Sequence, residues 1–138
     1  MTDPAVRTVT IEPSEERFQR LRAELGVTSF GLNAITLLPK QRGRIHRHLR
    51  QEEVYLVLEG ELTLVVEGEE QVLGRWQAAR VGPEPRRQLV NAGSEPVVLL
   101  ALGGHGEHEG RDGRAYESWE EGGEGRPPQE VPLPADLP

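Results

Sequence analysis

An all-β domain, an antiparallel sandwich or barrel, is the fold class this sequence predicts, on three observations. Short β-type runs recur between residues 29 and 102, turn residues separate them, and 138 residues supply one hydrophobic core with little room for a second. Hydrophobic residues make up 36% and aromatics only 4%, so that core is built from Val, Leu and Ala.

In chain order, residues 7–11 read as a short strand and residues 13–25 as a helix. Ser14 caps this helix, acids fill its first turn, Phe18, Leu21 and Leu25 share one face, and Gly26 ends it. Strand-like runs follow at 30–38, 54–58, 62–66, 71–73, 79–81, 88–90 and 97–102. Pro39, Gly60, Gly68, Gly74, Gly82-Pro83 and Gly93 punctuate them, a spacing that suits an antiparallel sandwich or barrel. Trp76, near a turn, reads as a packing plug. Residues 103–138 carry half of the 16 glycines and five of the 11 prolines. They cannot bury a core of their own, and are expected to form an irregular arm that packs by Tyr116 and Trp119. The chain thus divides into 1–28 (strand and helix), 29–102 (barrel) and 103–138 (arm), one domain overall.

Composition narrows the chemistry. Cysteine is absent, which excludes disulfides, thiolate metal sites and a cysteine nucleophile. The net charge of -7 opposes attraction to a phosphate backbone, so no nucleic-acid partner is expected. No apolar run approaches the roughly 20 residues of a membrane span, and the N-terminus lacks a secretory apolar segment. A cytoplasmic protein without a membrane partner is the expectation. Lys40 is the only lysine and has no glycine-rich loop around it, so phosphate-loop chemistry is unsupported.

The four histidines form two close pairs. In a strand, residues two apart face the same way, so His46 and His48 direct both imidazoles at one point. Glu53, arriving from the next strand, completes a two-histidine, one-carboxylate set of the kind that binds iron(II), with manganese, nickel and zinc as the other candidates. Arg44 shares parity with the histidines, which points it into the same mouth, although strand ends twist and a long arginine side chain reaches solvent easily. Tyr55 and Val57 share parity with Glu53 and line the cavity as wall residues. His105 and His108 sit among glycines and acids, where a solvated loop is the simpler reading.

The segment around His46 resembles the first motif of the cupin superfamily, a glycine, a His-x-His pair, a glutamate a few residues on and a later glycine. His46-x-His48, Glu53 and Gly60 match it; Gly43 precedes His46 more closely than the family pattern has it. In the second cupin motif Asn91 anchors the comparison, which puts Arg87 where the family has its fourth ligand, a histidine, and Gly82-Pro83-Glu84-Pro85 where it has a proline-x-glycine turn. A guanidinium stays protonated and cannot ligate a metal. The resemblance spans roughly residues 30–102. It implies a jelly-roll barrel, a homodimer and a site for a divalent metal and a small-molecule ligand.

Two functional readings follow. In the first, the chain is an enzyme, a metal-dependent dioxygenase, isomerase or related lyase. His46, His48 and Glu53 hold the ion, and Arg87, with Arg44 and Tyr55, holds a small anionic or hydroxylated ligand. In the second, Arg87 pairs with Glu53 or Glu52, the metal is absent, and the barrel is a nonenzymatic binding or structural module. No catalytic residue beyond the metal set is assigned.

Overall fold

A computed structural model describes residues 5–104 and 112–138. His105 and His108 lie outside the described residues. The elements run β1 (Phe18–Gln19), α1 (Leu21–Leu25), β2 (Gly31–Leu37), β3 (Ile45–His48), β4 (Glu52–Glu59), β5 (Leu62–Val66), β6 (Glu69–Leu73), β7 (Ala78–Val81), β8 (Arg87–Val90), β9 (Val97–Gly104) and β10 (Gly113–Tyr116), with a 3-10 turn at Pro128–Glu130. They form two five-stranded antiparallel sheets, ordered β1-β2-β9-β4-β7 and β10-β3-β8-β5-β6. No helix among the described residues is long and apolar enough to cross a membrane.

Alternation builds the core. On β4, Tyr55 and Val57 are buried while Val54, Leu56 and Leu58 on the other face are only partly so. Leu62 and Leu64 from the facing sheet and Val97 and Leu99 from β9 pack with them. Each such fully buried aliphatic side chain contributes roughly 1.5–3 kcal/mol relative to exposure. Gly60, the last residue of the first motif, has φ 76° after β4, and a Cβ there would collide with the Pro96 carbonyl oxygen. Only glycine meets both conditions. Asn91 is fully buried and staples the turn before β9, donating to the carbonyls of Leu37 (2.9 Å) and Glu95 (2.8 Å).

The N-terminal segment departs from the sequence reading. The helix is present but occupies only Leu21–Leu25, closed by Gly26 at φ 74°. Ser14 does not cap it; its Oγ accepts from the Glu16 amide at 3.2 Å in a tight turn instead. Arg17 then adopts φ 73°, and Phe18 and Gln19 pair with Ile35 and Ala34 as the sheet edge. Ladder hydrogen bonds with β2 outweigh helix propensity in this stretch. Residues 7–11 form no strand; the Gln19 side chain bonds the Thr10 carbonyl and the Glu12 amide beside them.

The C-terminal arm carries more order than its composition suggests. β10 pairs with β3 along its whole length, placing Gly113 opposite His48 and Ala115 opposite His46. Tyr116 is buried, with the Arg86 guanidinium 3.7 Å above its ring, and Trp119 is half-buried. Trp76 is not a packing plug. It is 66% exposed at φ 70°, because its amide turns inward to the Val57 carbonyl (2.8 Å) and sends the side chain out.

Candidate metal centre

His46 and His48 lie on β3 and Glu53 on β4, so the two sheets each deliver part of one cluster across the mouth of the barrel. The turn at residues 49–51 makes this possible by carrying the chain from one sheet to the other within three residues. One donor atom from each side chain lies within 4.8 Å of the others. Nε2 of His46 is 3.3 Å, and Nε2 of His48 3.1 Å, from Glu53 Oε1.

The outer nitrogens of both rings are held by acceptors. His46 Nδ1 sits 3.1 Å from the Arg44 carbonyl, which only accepts, while its Nε2 lies 3.3 Å from Glu53 Oε1; with Nδ1 donating outward, an ion at Glu53 would take the Nε2 lone pair in place of that bond. His48 Nδ1 likewise donates to Asp112 Oδ1 at 2.7 Å. His48 Nε2 is buried with no hydrogen-bond partner; its approach to Glu53 is close but off the hydrogen-bonding direction. Two imidazole lone pairs and a carboxylate oxygen converging at a buried, unpartnered nitrogen are the donor set a divalent transition metal takes. The three residues therefore fit the ion their sequence pattern implies.

Asp112 went unseen in the sequence. It accepts from the amides of Arg50 (2.9 Å) and Gln51 (2.8 Å) and from the Gln51 side chain (2.6 Å) as well as from His48. Burial alone would raise its carboxyl, but the Gln51 and Arg50 amides and His48 hold it below the ordinary carboxylate value. A carboxylate behind a ligating histidine orients the ring and raises its basicity. An isolated acid before a glycine is too common to signal such a role, and the β3–β10 register that brings it to His48 joins residues more than sixty apart.

Glu53 also departs from ordinary behaviour. Burial would raise it, yet the hydrogen bond from His46 and the close approach of both imidazoles hold it well below the usual value. Tyr55, buried beside it, donates to Oε1 at 2.5 Å, and burial and the Glu53 charge push the phenol well above its usual value.

Arg87 sits opposite His46 on the neighbouring strand, yet it does not line the cavity. It is fully buried, and its guanidinium donates to the carbonyls of Pro83 (3.0 Å), Pro85 (2.6 Å) and Gly82 (2.9 Å) and to the Tyr55 hydroxyl (3.3 Å). Its Nε is 3.4 Å from Glu53 Oε1. With those donors committed to carbonyls it braces Glu53 from behind rather than reaching a ligand. Glu52 points away and pairs with Arg80 at the surface.

Beside the cluster is a cavity of about 250 Å³. Arg44 and Tyr55 line it as expected, together with His46, His48, Glu53 and the unanticipated Arg17. Arg17 reaches it because β1 and the left-handed turn before it replace the helix expected there.

The fold has known counterparts. A sugar phosphate isomerase of the cupin superfamily from Silicibacter pomeroyi is 28% identical, covering 73% of this chain and 64% of its own, with a TM-score of 0.63. A cupin protein from Bacteroides fragilis is 19% identical, with coverages of 75% and 86% and a TM-score of 0.66. A protein from Acidithiobacillus ferrooxidans, provisionally described as a sugar phosphate isomerase, is 24% identical over 62% of this chain and 56% of its own, with a TM-score of 0.58. The chain thus spans less than two thirds of both isomerase-described proteins. No curated protein matches it. The cupin domain model matches residues 34–103, just over half the chain, and the protein belongs to the cupin family.

Proposed function

We propose that this cupin holds a divalent first-row transition metal at His46, His48 and Glu53 and takes a small hydroxylated anion into the adjoining cavity, as an isomerase-type enzyme. The observation that carries this reading is the buried, unpartnered His48 Nε2 facing Glu53, with the outer nitrogen of each histidine held by an acceptor. The ion supplies Lewis-acid polarisation of a bound substrate oxygen. The chain's own residues do the rest. His46 and His48 would offer lone pairs to it, Glu53 adds the negative charge, Asp112 holds the His48 ring, and Arg87 and Tyr55 contact Glu53 from behind. The 28% identity to a sugar phosphate isomerase supports a hydroxylated, anionic substrate class. A cytoplasmic setting and a homodimer, with β6 and β7 as free sheet edges available for self-pairing, belong to the same proposal.

A metal-free binding module is the second reading, and the approach of the Arg87 cation to Glu53 Oε1 favours it. Metal analysis of protein purified without chelator and then reconstituted separates the two. About one transition metal per chain, lost in a His46→Ala, His48→Ala double variant, is expected. Failure to take up any such ion after reconstitution overturns the first reading.

A further inference from the structure

We propose that Arg17 and Arg44 form the binding site for the phosphate group of that small hydroxylated ligand. The inference deepens the metal-and-ligand reading above and rests on it for the placement of the rest of the molecule.

Both arginines line the cavity that His46, His48 and Glu53 also line. Each is held by one backbone carbonyl and has further donors to spare: Arg17 Nη1 donates to Arg42 at 2.9 Å and Arg44 Nε to Val131 at 2.8 Å. Arg17 is only 9% exposed and Arg44 is half-buried. Among the described residues neither forms an ion pair; Asp136 is the acid whose field reaches Arg17, without a contact. Burial pulls both below the usual arginine range, and Arg17 also feels the Arg44 charge. Two neighbouring, partly buried cations without a partner are costly unless an anion joins them.

Asp136 offsets part of the Arg17 charge from a distance, but no surrounding acid pairs with either guanidinium. Glu53 is answered by Arg87 and the two histidines, and Asp112 by His48 and three N–H groups. In a chain with a net charge of -7, this cavity is therefore a local positive site, and a divalent ion makes it more so. A guanidinium fork matches phosphate oxygens in pairs, and a phosphate dianion has enough charge and oxygens for both forks, whereas a carboxylate satisfies one. Ile35, Leu37 and Leu89 are among the apolar residues that line the rest of the cavity.

The test is calorimetric titration of inorganic phosphate, and separately acetate, into wild type, Arg17→Gln, Arg44→Gln and the His46→Ala, His48→Ala double variant. Phosphate is expected to bind wild type more tightly than acetate does. Each glutamine substitution should weaken it by about tenfold or more. Arg17→Lys and Arg44→Lys, which keep the charge but lose the fork, carry the test if a glutamine variant fails to fold, and should weaken phosphate by a few fold. The histidine double variant should still bind phosphate, so a failed metal site and a failed phosphate site give different results. Phosphate affinity unchanged by substitution at both arginines, or acetate binding as tightly as phosphate, overturns the proposal.

Discussion

Residues 43–60 and residues 82–91 are the two motif-bearing stretches of the same barrel, and they have diverged in opposite ways. In the first, His46 and His48 from β3 and Glu53 from β4 come together at the site, and Gly60 makes the turn after β4 that demands it. In the second, Asn91 still staples its turn, but the ligand position holds Arg87, which is consumed by the loop carbonyls of Gly82, Pro83 and Pro85. The difference teaches that a ligand position can pass from the metal to the scaffold without loss of the barrel. Arg87 instead packs behind the cluster, its Nε 3.4 Å from Glu53 Oε1.

The largest effect on that contrast is expected from Glu53→Ala. It deletes a donor on the first stretch and leaves Arg87 and the Tyr55 hydroxyl buried without their acceptor, which should cost about 3–5 kcal/mol in urea unfolding and abolish metal uptake. Arg87→His restores the family's ligand to the second stretch but strips the loop carbonyls of their donors. Stability should fall by about 3 kcal/mol while metal affinity rises, read by unfolding and by competition with a chelating dye. Unchanged affinity would mean that the second stretch can no longer reach the ion.

Asp112→Asn probes the support of the first stretch. Asparagine offers one acceptor oxygen where two now serve four donors, so a loss of about 2 kcal/mol and a 10–100-fold drop in metal affinity are expected. The smallest effect belongs to Tyr55→Phe, about 1 kcal/mol, through the lost bond to Glu53.

Acidity gives an independent reading of the same wall. Burial would lower the His48 imidazole, but Glu53 and Asp112 hold it above its ordinary 6.5. A raised folded value contributes stability that is present below 6.5 and lost as pH rises through that folded value. The metal-free protein should therefore melt at lower temperature on the alkaline side of neutrality than on the acid side. The metal-loaded protein should show the reverse, because the ion needs the neutral ring. Asp112 has the opposite sign. Its depressed value gives stability that is present above 3.8 and lost as pH falls through the folded value, so Asp112→Asn should flatten the acid limb of the unfolding curve.

What the sequence made legible was whatever sits at short, fixed spacing. The strand runs at 62–66 and 97–102, the His-x-His pair with Glu53, and the Gly60 turn are local patterns, and the structure keeps them. Residues 13–20 misled because helix-like spacing competes there with a sheet edge, and only the partners Ile35 and Ala34 decide it. Arg17 was hidden by the same error. Asp112 and β10 were hidden by distance along the chain, since a glycine-rich arm shows its strand only when β3 offers a ladder. The duty of Arg87 was half visible: its position excluded a fourth imidazole, but the carbonyls that absorb its donors depend on how the Gly82–Pro85 loop closes.

The central claim is a metal held by two imidazoles and a carboxylate, with no fourth protein ligand from the second stretch. X-ray absorption at the metal edge of reconstituted protein tests it most directly. The account predicts the multiple-scattering signature of two histidine rings, reduced to one in His48→Ala. No bound metal, or a signature that the His46→Ala and His48→Ala substitutions leave unchanged, would contradict it.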